Sequence, residues 1–255
     1  MNLEGKVSVV TGGGSGIGRA ISIKLASLGS AVAVLDISEK GGKETVDYIK
    51  SLGKKAEFIK LDVSDESSVK QVVNSVVEKF GGIDVLINNA GIEPPPASIL
   101  ETSTEWFDKV MNVNLKGIWF MIKYVAPHMI SRGGGSIVNI ASVAGIKPLA
   151  GAFPYSVSKA GVIMLTKLSA LELGKYKIRV NAVAPGWVRT PMVERAAKAS
   201  NLTLEQFEKV NSQRIPLGRF AEPNEIANLV AFLASEDSSY MNGSVVVIDG
   251  GIVLS

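Results

Sequence analysis

Short apolar runs alternate along the chain with longer stretches in which apolar residues recur at every third or fourth position. The runs Lys6–Val10, Ala31–Leu35, Ala56–Ile59, Ile83–Ile87, Ser136–Ile140, Ile178–Val183 and Val245–Ile248 are rich in valine and isoleucine. That pattern predicts strands buried on both faces, as a parallel sheet requires. The stretches Ile17–Leu28, Glu39–Ser51, Glu66–Phe80, Thr104–Ile130, Ser156–Leu173 and Asn224–Ala234 carry the spacing of amphipathic helices. Strand–helix alternation of this kind predicts an α/β, doubly wound, Rossmann-like sheet with helices on both faces. No repeat or low-complexity linker interrupts it, so residues 1–255 read as one domain. Residues 188–219 break the alternation. They hold Pro191, Pro216 and a charged helical middle, and they predict a lid or arm over the end of the sheet.

Composition narrows the chemistry. The 255 residues include 27 Lys+Arg and 24 Asp+Glu, and the charges are scattered, with none of the clustered basic runs that nucleic-acid binding needs. There is no cysteine, which excludes disulfides, thiolate metal sites and thiol nucleophiles. The single histidine, His128, excludes a two-histidine metal site and argues against a Ser-His-Asp triad. It sits beside Pro127 late in a helix and reads as a packing residue. The N-terminus lacks a signal-peptide pattern, and no apolar stretch approaches the ~20 residues of a membrane span. The expectation is a cytoplasmic protein with no metal, no nucleic acid and no membrane partner.

Thr11-Gly12-Gly13-Gly14-Ser15-Gly16-Ile17-Gly18 follows the first strand and opens the first helix. Glycines there allow a sharp turn, and the free amides of a helix start bind an anion such as a pyrophosphate. The spacing is G-x-x-x-G-x-G and does not match the general dinucleotide pattern at any register. Asp36 ends the second strand, 18 residues past Gly18. A carboxylate there accepts both hydroxyls of an adenosine ribose and repels a 2′-phosphate, although Asp36 can equally cap the following helix. Ser15 and Ile37 offer no positive charge to such a phosphate; Lys40 stands close in sequence. Together these residues favour NAD over NADP. Asp62, with Val63 after it, is placed to meet the adenine edge, and Asn88-Asn89-Ala90-Gly91 ends the fourth strand with small residues suited to close packing.

Tyr155 and Lys159 are four residues apart near the start of a long helix, so their side chains share one face. A phenol with a pKa of ~10 is a weak acid–base catalyst at neutral pH, and an adjacent ammonium lowers that value. Lowering it by three units takes about 4 kcal/mol, which Lys159 and a nearby nicotinamide cation supply together on this reading. Ser142, just past the fifth strand, can hydrogen-bond the same substrate oxygen. Asn114 lies inside the Thr104–Ile130 stretch, where asparagine is a poor helix former. Facing the site, it would disrupt a helical bond and hold a water linking Lys159 to solvent.

Taken together, Thr11–Gly18, Asn88–Gly91, Asn114, Ser142, Tyr155-x-x-x-Lys159 and Pro185-Gly186 resemble the short-chain dehydrogenase/reductase family, in order and at family-like spacings. The likeness runs from Gly5-Lys6 to Asp249-Gly250-Gly251, and the glycine spacing is the one this family uses. The resemblance implies a seven-stranded Rossmann-like sheet and hydride transfer between NAD(H) and an alcohol or ketone. It implies that Tyr155 exchanges the proton, Lys159 lowers its pKa and holds the nicotinamide ribose, Ser142 polarises the substrate oxygen and Asn114 anchors the relay water. Pro185, Gly186, Val188 and Thr190 would line the nicotinamide amide.

The substrate pocket is expected between Ile92–Pro96, Val143–Leu149, Trp187 and the 188–219 arm. Ile92, Ala144, Ile146, Leu149, Trp187 and Met192 make it mostly apolar, Glu93 and Lys147 are its only expected charges, and Pro94–Pro96 is expected to shape the entrance. No arginine cluster suggests a carboxylate or phosphate handle. Apolar stripes along Val157, Ala160, Gly161, Met164, Leu168 and Leu171, and along Ile226, Leu229, Val230, Phe232 and Leu233, predict a twofold-symmetric homo-oligomer; the resemblance suggests a homotetramer. Two other readings stay open: an NADPH-dependent 3-oxoacyl-carrier-protein reductase, and a dinucleotide-binding sensor or scaffold without turnover.

Overall fold

The computed structural model describes residues 1–255. Seven strands, β1 (Val7–Thr11), β2 (Ala31–Asp36), β3 (Ala56–Lys60), β4 (Val85–Asn88), β5 (Gly135–Ile140), β6 (Ile178–Pro185) and β7 (Val245–Ile248), form one sheet in the order β3-β2-β1-β4-β5-β6-β7. Every pairing is parallel. Each strand lies within two residues of its expected span.

The helices are α1 (Gly16–Ser27), α2 (Glu39–Ser51), α3 (Glu66–Phe80), α4 (Thr104–Met111), α5 (Gly117–Ser131), α6 (Phe153–Leu173), α7 (Pro191–Ala199), α8 (Leu204–Asn211) and α9 (Pro223–Ala234). Local chemistry sets their ends. Asp65 caps α3 by accepting from the Ser67 and Ser68 N–H groups, and Gly81 at φ 82° closes it in the left-handed conformation. One face of the sheet is covered by α3, α5 and α6 through residues such as Val69, Val73, Met121, Val125 and Val162. The other is covered by α1, α2 and α9 through Ile21, Leu25, Ile49, Ile226 and Val230. The fold takes up most of the apolar excess of α9: Ile226, Val230 and Leu233 are fully buried, and Leu229 and Phe232 are half-buried against the same core. On α6 the stripe does face outward: Val157, Met164, Leu168 and Leu171 are exposed.

The Thr104–Ile130 stretch is not one helix. A π-turn over Asn112–Lys116 separates α4 from α5, and Asn114 lies in its middle. Residues 188–219 form an arm carrying α7 and α8, with a small core of its own. Trp187 stacks on Phe220 and meets Phe207 edge-on, both at 5.5 Å between ring centres. Strand order reverses at β1, between β2 and β4, so the carboxyl ends of β1 and β4 open a crevice where ligands of such sheets bind.

Candidate active site

A cleft of about 1370 Å³ opens over that crevice. Its first wall is the loop between β1 and α1. The Thr11 hydroxyl accepts from the backbone N–H groups of Asn89 and Ala90, at 3.0 and 3.1 Å. The Asn89 side-chain amide donates to the carbonyls of Thr11 and Gly12, at 3.0 and 3.1 Å. Asn89 is therefore a brace between two strand ends rather than only a small residue. Gly12 takes φ +63°, and a Cβ on Gly18 would stand 2.0 Å from the Gly12 carbonyl oxygen. Gly12, Ser15, Gly16 and Ile17 line the cleft; Gly18 lies behind the loop and lets α1 pack against it. The α1 start has no acidic residue in its first turn and no side-chain cap on its N–H groups. This cradle fits a pyrophosphate.

Asp36 lines the same cleft, with one carboxylate oxygen 2.8 Å from the Gly14 N–H and the other 2.8 Å from the Ser38 N–H. Ile37 beside it is exposed. The nearest guanidinium, Arg19, is spent on Gly14 O, Thr45 Oγ1 and Glu44 Oε2. No basic side chain of β2 or α2 lines the cleft. Asp62 and Val63 line it further along, and Asp62 accepts from both the N–H and the hydroxyl of Ser64. Ala90, Gly91, Pro185, Gly186, Val188 and Thr190 complete this half.

Tyr155 falls in the first turn of α6, Lys159 one turn later, and Ser142 two residues past β5; all three line the cleft. Lys159 is 3% exposed; its ammonium donates to the Ile140 carbonyl at 2.7 Å and lies 5.6 Å from the centre of the Tyr155 ring. The Ser142 hydroxyl accepts from the Ala144 N–H. Burial holds Lys159 down at about 8. Burial raises the Tyr155 phenol above its ordinary value, the Glu93 charge raises it further, and the Ser142 hydroxyl pulls the other way. The spacing of Tyr155 and Lys159 predicts the opposite direction. With the ammonium turned to the Ile140 carbonyl and over the ring, desolvation of the phenolate outweighs its attraction.

Asn114 is fully buried and does not line the cleft. Its carboxamide accepts from the Ile92 N–H at 2.8 Å and donates to the Ile92 carbonyl at 2.9 Å and the Ser158 hydroxyl at 3.1 Å. Ser158 in turn donates to the Tyr155 carbonyl at 2.7 Å. The side chain that was expected to face the site instead ties the loop after β4 to the turn of α6 that carries Tyr155.

Ile92, Glu93, Ala144, Leu149, Trp187 and Met192 line the remaining half, as expected. Ile146 does not; it is 45% exposed and lies outside the cleft, as do Pro94–Pro96. The wall is also more charged than the sequence pattern indicates. Arg195 on α7 and Arg214 after α8 join Lys147 there, with Gln213, Ile252 and Val253. Lys147 donates to the Ser255 carbonyl, which brings the last residues to the pocket. Separation along the chain hides this convergence: only the folded arm brings 195 and 214 to the same wall.

A family described as enoyl-(acyl carrier protein) reductase matches residues 12–253. The chain is 45% identical to a 3-oxoacyl-[acyl-carrier-protein] reductase of Thermotoga maritima over the full length of both proteins. It is 38% identical to a cyclohexanol dehydrogenase of an Acinetobacter species, covering 96% of this chain and 94% of that one. The crystal structure of a levodione reductase superposes over the whole of both chains with a TM-score of 0.97 at 38% identity. With its seven-stranded parallel sheet, glycine cradle and Tyr155–Lys159 pair in one cleft, the chain belongs to the short-chain dehydrogenase/reductase family of oxidoreductases, which bind a nicotinamide dinucleotide.

Proposed function

We propose that the protein is an NAD(H)-dependent dehydrogenase that interconverts a secondary alcohol and its ketone. The observation that carries this reading is one cleft holding Asp36 at one end and Tyr155, Ser142 and Lys159 at the other. Asp36 is fixed by two backbone N–H groups in a stretch of the cleft that no basic side chain lines, an arrangement suited to a ribose diol and hostile to a 2′-phosphate. Gly12, Ser15, Gly16 and Ile17 would hold the pyrophosphate, Asp62 and Val63 the adenine, and Asn89, Ala90, Gly91, Pro185, Gly186, Val188 and Thr190 the nicotinamide half. When bound, the nicotinamide supplies the hydride in reduction and takes it in oxidation.

The chain's own groups handle the proton. Tyr155 Oη donates it to the carbonyl oxygen in reduction and accepts it from the hydroxyl in oxidation. Ser142 shares that oxygen and orients it. Lys159, charged at neutral pH, would hold the nicotinamide ribose and bring positive charge to the phenol once the cleft is filled. The raised phenol keeps Tyr155 protonated at neutral pH, which suits reduction. Asn114 would act through position, by fixing Ile92 and the Tyr155 turn. The exposed α6 stripe supports a homo-oligomer, a homotetramer by family likeness, and no helix is long and apolar enough to cross a membrane.

A second reading, an NADPH-dependent 3-oxoacyl-carrier-protein reductase, is favoured by the Arg195, Arg214 and Lys147 wall, which could meet an acidic carrier protein. Initial rates with NADH and NADPH on cyclohexanone and on a 3-oxoacyl thioester separate the two. Faster NADH-driven reduction of the ketone supports the first; NADPH-driven reduction of the thioester alone replaces it with the second.

A further inference from the structure

Two carboxylates on the cleft wall are withdrawn from full exposure, Asp36 and Glu93. Asp36 has both oxygens occupied by backbone N–H groups. Glu93 makes no hydrogen bond and no ion pair, and Arg195 acts on it only from a distance. Its place is nonetheless fixed. Asn114 holds both the N–H and the carbonyl of Ile92, so the residue that follows is presented from a clamped backbone. It lines the same cleft as Tyr155, and its charge bears on the phenol there.

A substrate seated against Tyr155 removes more water from Glu93. A hydrocarbon there would leave a charged acceptor without a partner, which is costly. A carboxylate arm would be repelled. A hydroxyl supplies the donor the group lacks, in a charge-assisted bond. We infer that Glu93 is a specificity-determining residue that accepts a hydrogen bond from a second hydroxyl of the substrate, so that the preferred substrates are diols and the corresponding hydroxy-ketones. This rests on the dehydrogenase reading above. A fully buried site of this kind rejects an analogue lacking the hydroxyl by up to ~10⁴–10⁵. Glu93 is only partly buried, and about tenfold or more is expected, or ~1.4 kcal/mol.

The test compares kcat/KM for cyclohexanol with that for cyclohexane-1,2-, 1,3- and 1,4-diol, using NAD⁺ and NADP⁺, in the wild type, Glu93→Leu and Glu93→Gln. The wild type should prefer at least one diol about tenfold or more, and both variants should lose most of that ratio. A wild type that prefers no diol, or a preference that survives in both variants, overturns the inference. If no alcohol turns over with either cofactor, the dehydrogenase reading fails on its own. Calorimetric binding of the same compounds to the wild type with NADH present then decides: tighter binding of a diol supports the role of Glu93, and equal binding refutes it.

Discussion

Lys159→Met should produce a protein that is more stable and nearly inactive. The wild-type ammonium is almost wholly withdrawn from water, with one hydrogen bond, to the Ile140 carbonyl. Its pKa is held at about 8 against an ordinary 10.5. Each unit of that gap corresponds to ~1.36 kcal/mol, so keeping Lys159 charged in the folded state costs about 3 kcal/mol. Methionine fills similar space without the charge but leaves the Ile140 carbonyl unpaired, which returns about 1 kcal/mol. The net gain at pH 7 is about 2 kcal/mol. For a chain of this size that is roughly 4–8 °C in Tm. Turnover should fall at least ~100-fold, since the proton-transferring group loses the charge beside it.

The same reasoning fixes a pH dependence that a packing effect would lack. The folded-state pKa of this base is depressed, so the unfolded chain binds the proton more tightly. The destabilising contribution is present in full below pH ~8 and fades as the pH rises toward 10.5. Thermal melts of wild type and Lys159→Met at pH 7 and pH 10 should therefore show a gap that shrinks at the higher pH because the wild type gains. A variant less stable than wild type at pH 7, or a gap equal at both values, would refute the assignment of the cost to a buried ammonium.

Tyr155→Phe should lower turnover by at least ~100-fold while leaving the NADH dissociation constant, read by fluorescence titration, within about threefold of wild type; substantial residual turnover would move the proton transfer to another group. Asp36→Ala should cut the ratio of kcat/KM with NADH to that with NADPH by about tenfold or more, because the ribose hydroxyls lose their acceptor and a 2′-phosphate loses its repulsion. An unchanged ratio would place cofactor selection elsewhere.

The architecture was legible because each strand is a short β-branched run buried on both faces, and such runs declare themselves without tertiary information. The cradle and the Tyr155–Lys159 pair were legible for a related reason: their geometry is local, set by one turn and one helix. What was hidden depends on folding at a distance. Arg195 and Arg214 reach the pocket only because the arm packs Phe207 and Phe220 on Trp187. Ile146 has the composition of a pocket residue, yet it follows a 3₁₀ turn over Val143–Gly145 that directs it to solvent. The stripe on α9 and the stripe on α6 look alike in sequence, and only the packing of α1 against α9 tells the buried one from the exposed one. The direction of the phenol pKa was missed because burial is not visible in a four-residue spacing.

The break at Asn112–Lys116 follows from the same accounting of local cost against distant gain. Asparagine in a helix costs about 0.7 kcal/mol relative to alanine, and a π-turn loses regular hydrogen bonding as well. Against this stand three hydrogen bonds from one buried carboxamide, two to Ile92 and one to Ser158, each worth about 1 kcal/mol net. The Ser158 hydroxyl passes the constraint to the Tyr155 carbonyl. The desolvated Lys159 ammonium disfavours folding at neutral pH, so the turn of α6 that holds it needs support from outside the helix. The distorted segment provides it, and the same bracing fixes the backbone beside Glu93. A single irregular turn thus positions both the proton-transferring group and the side chain that selects what it acts on.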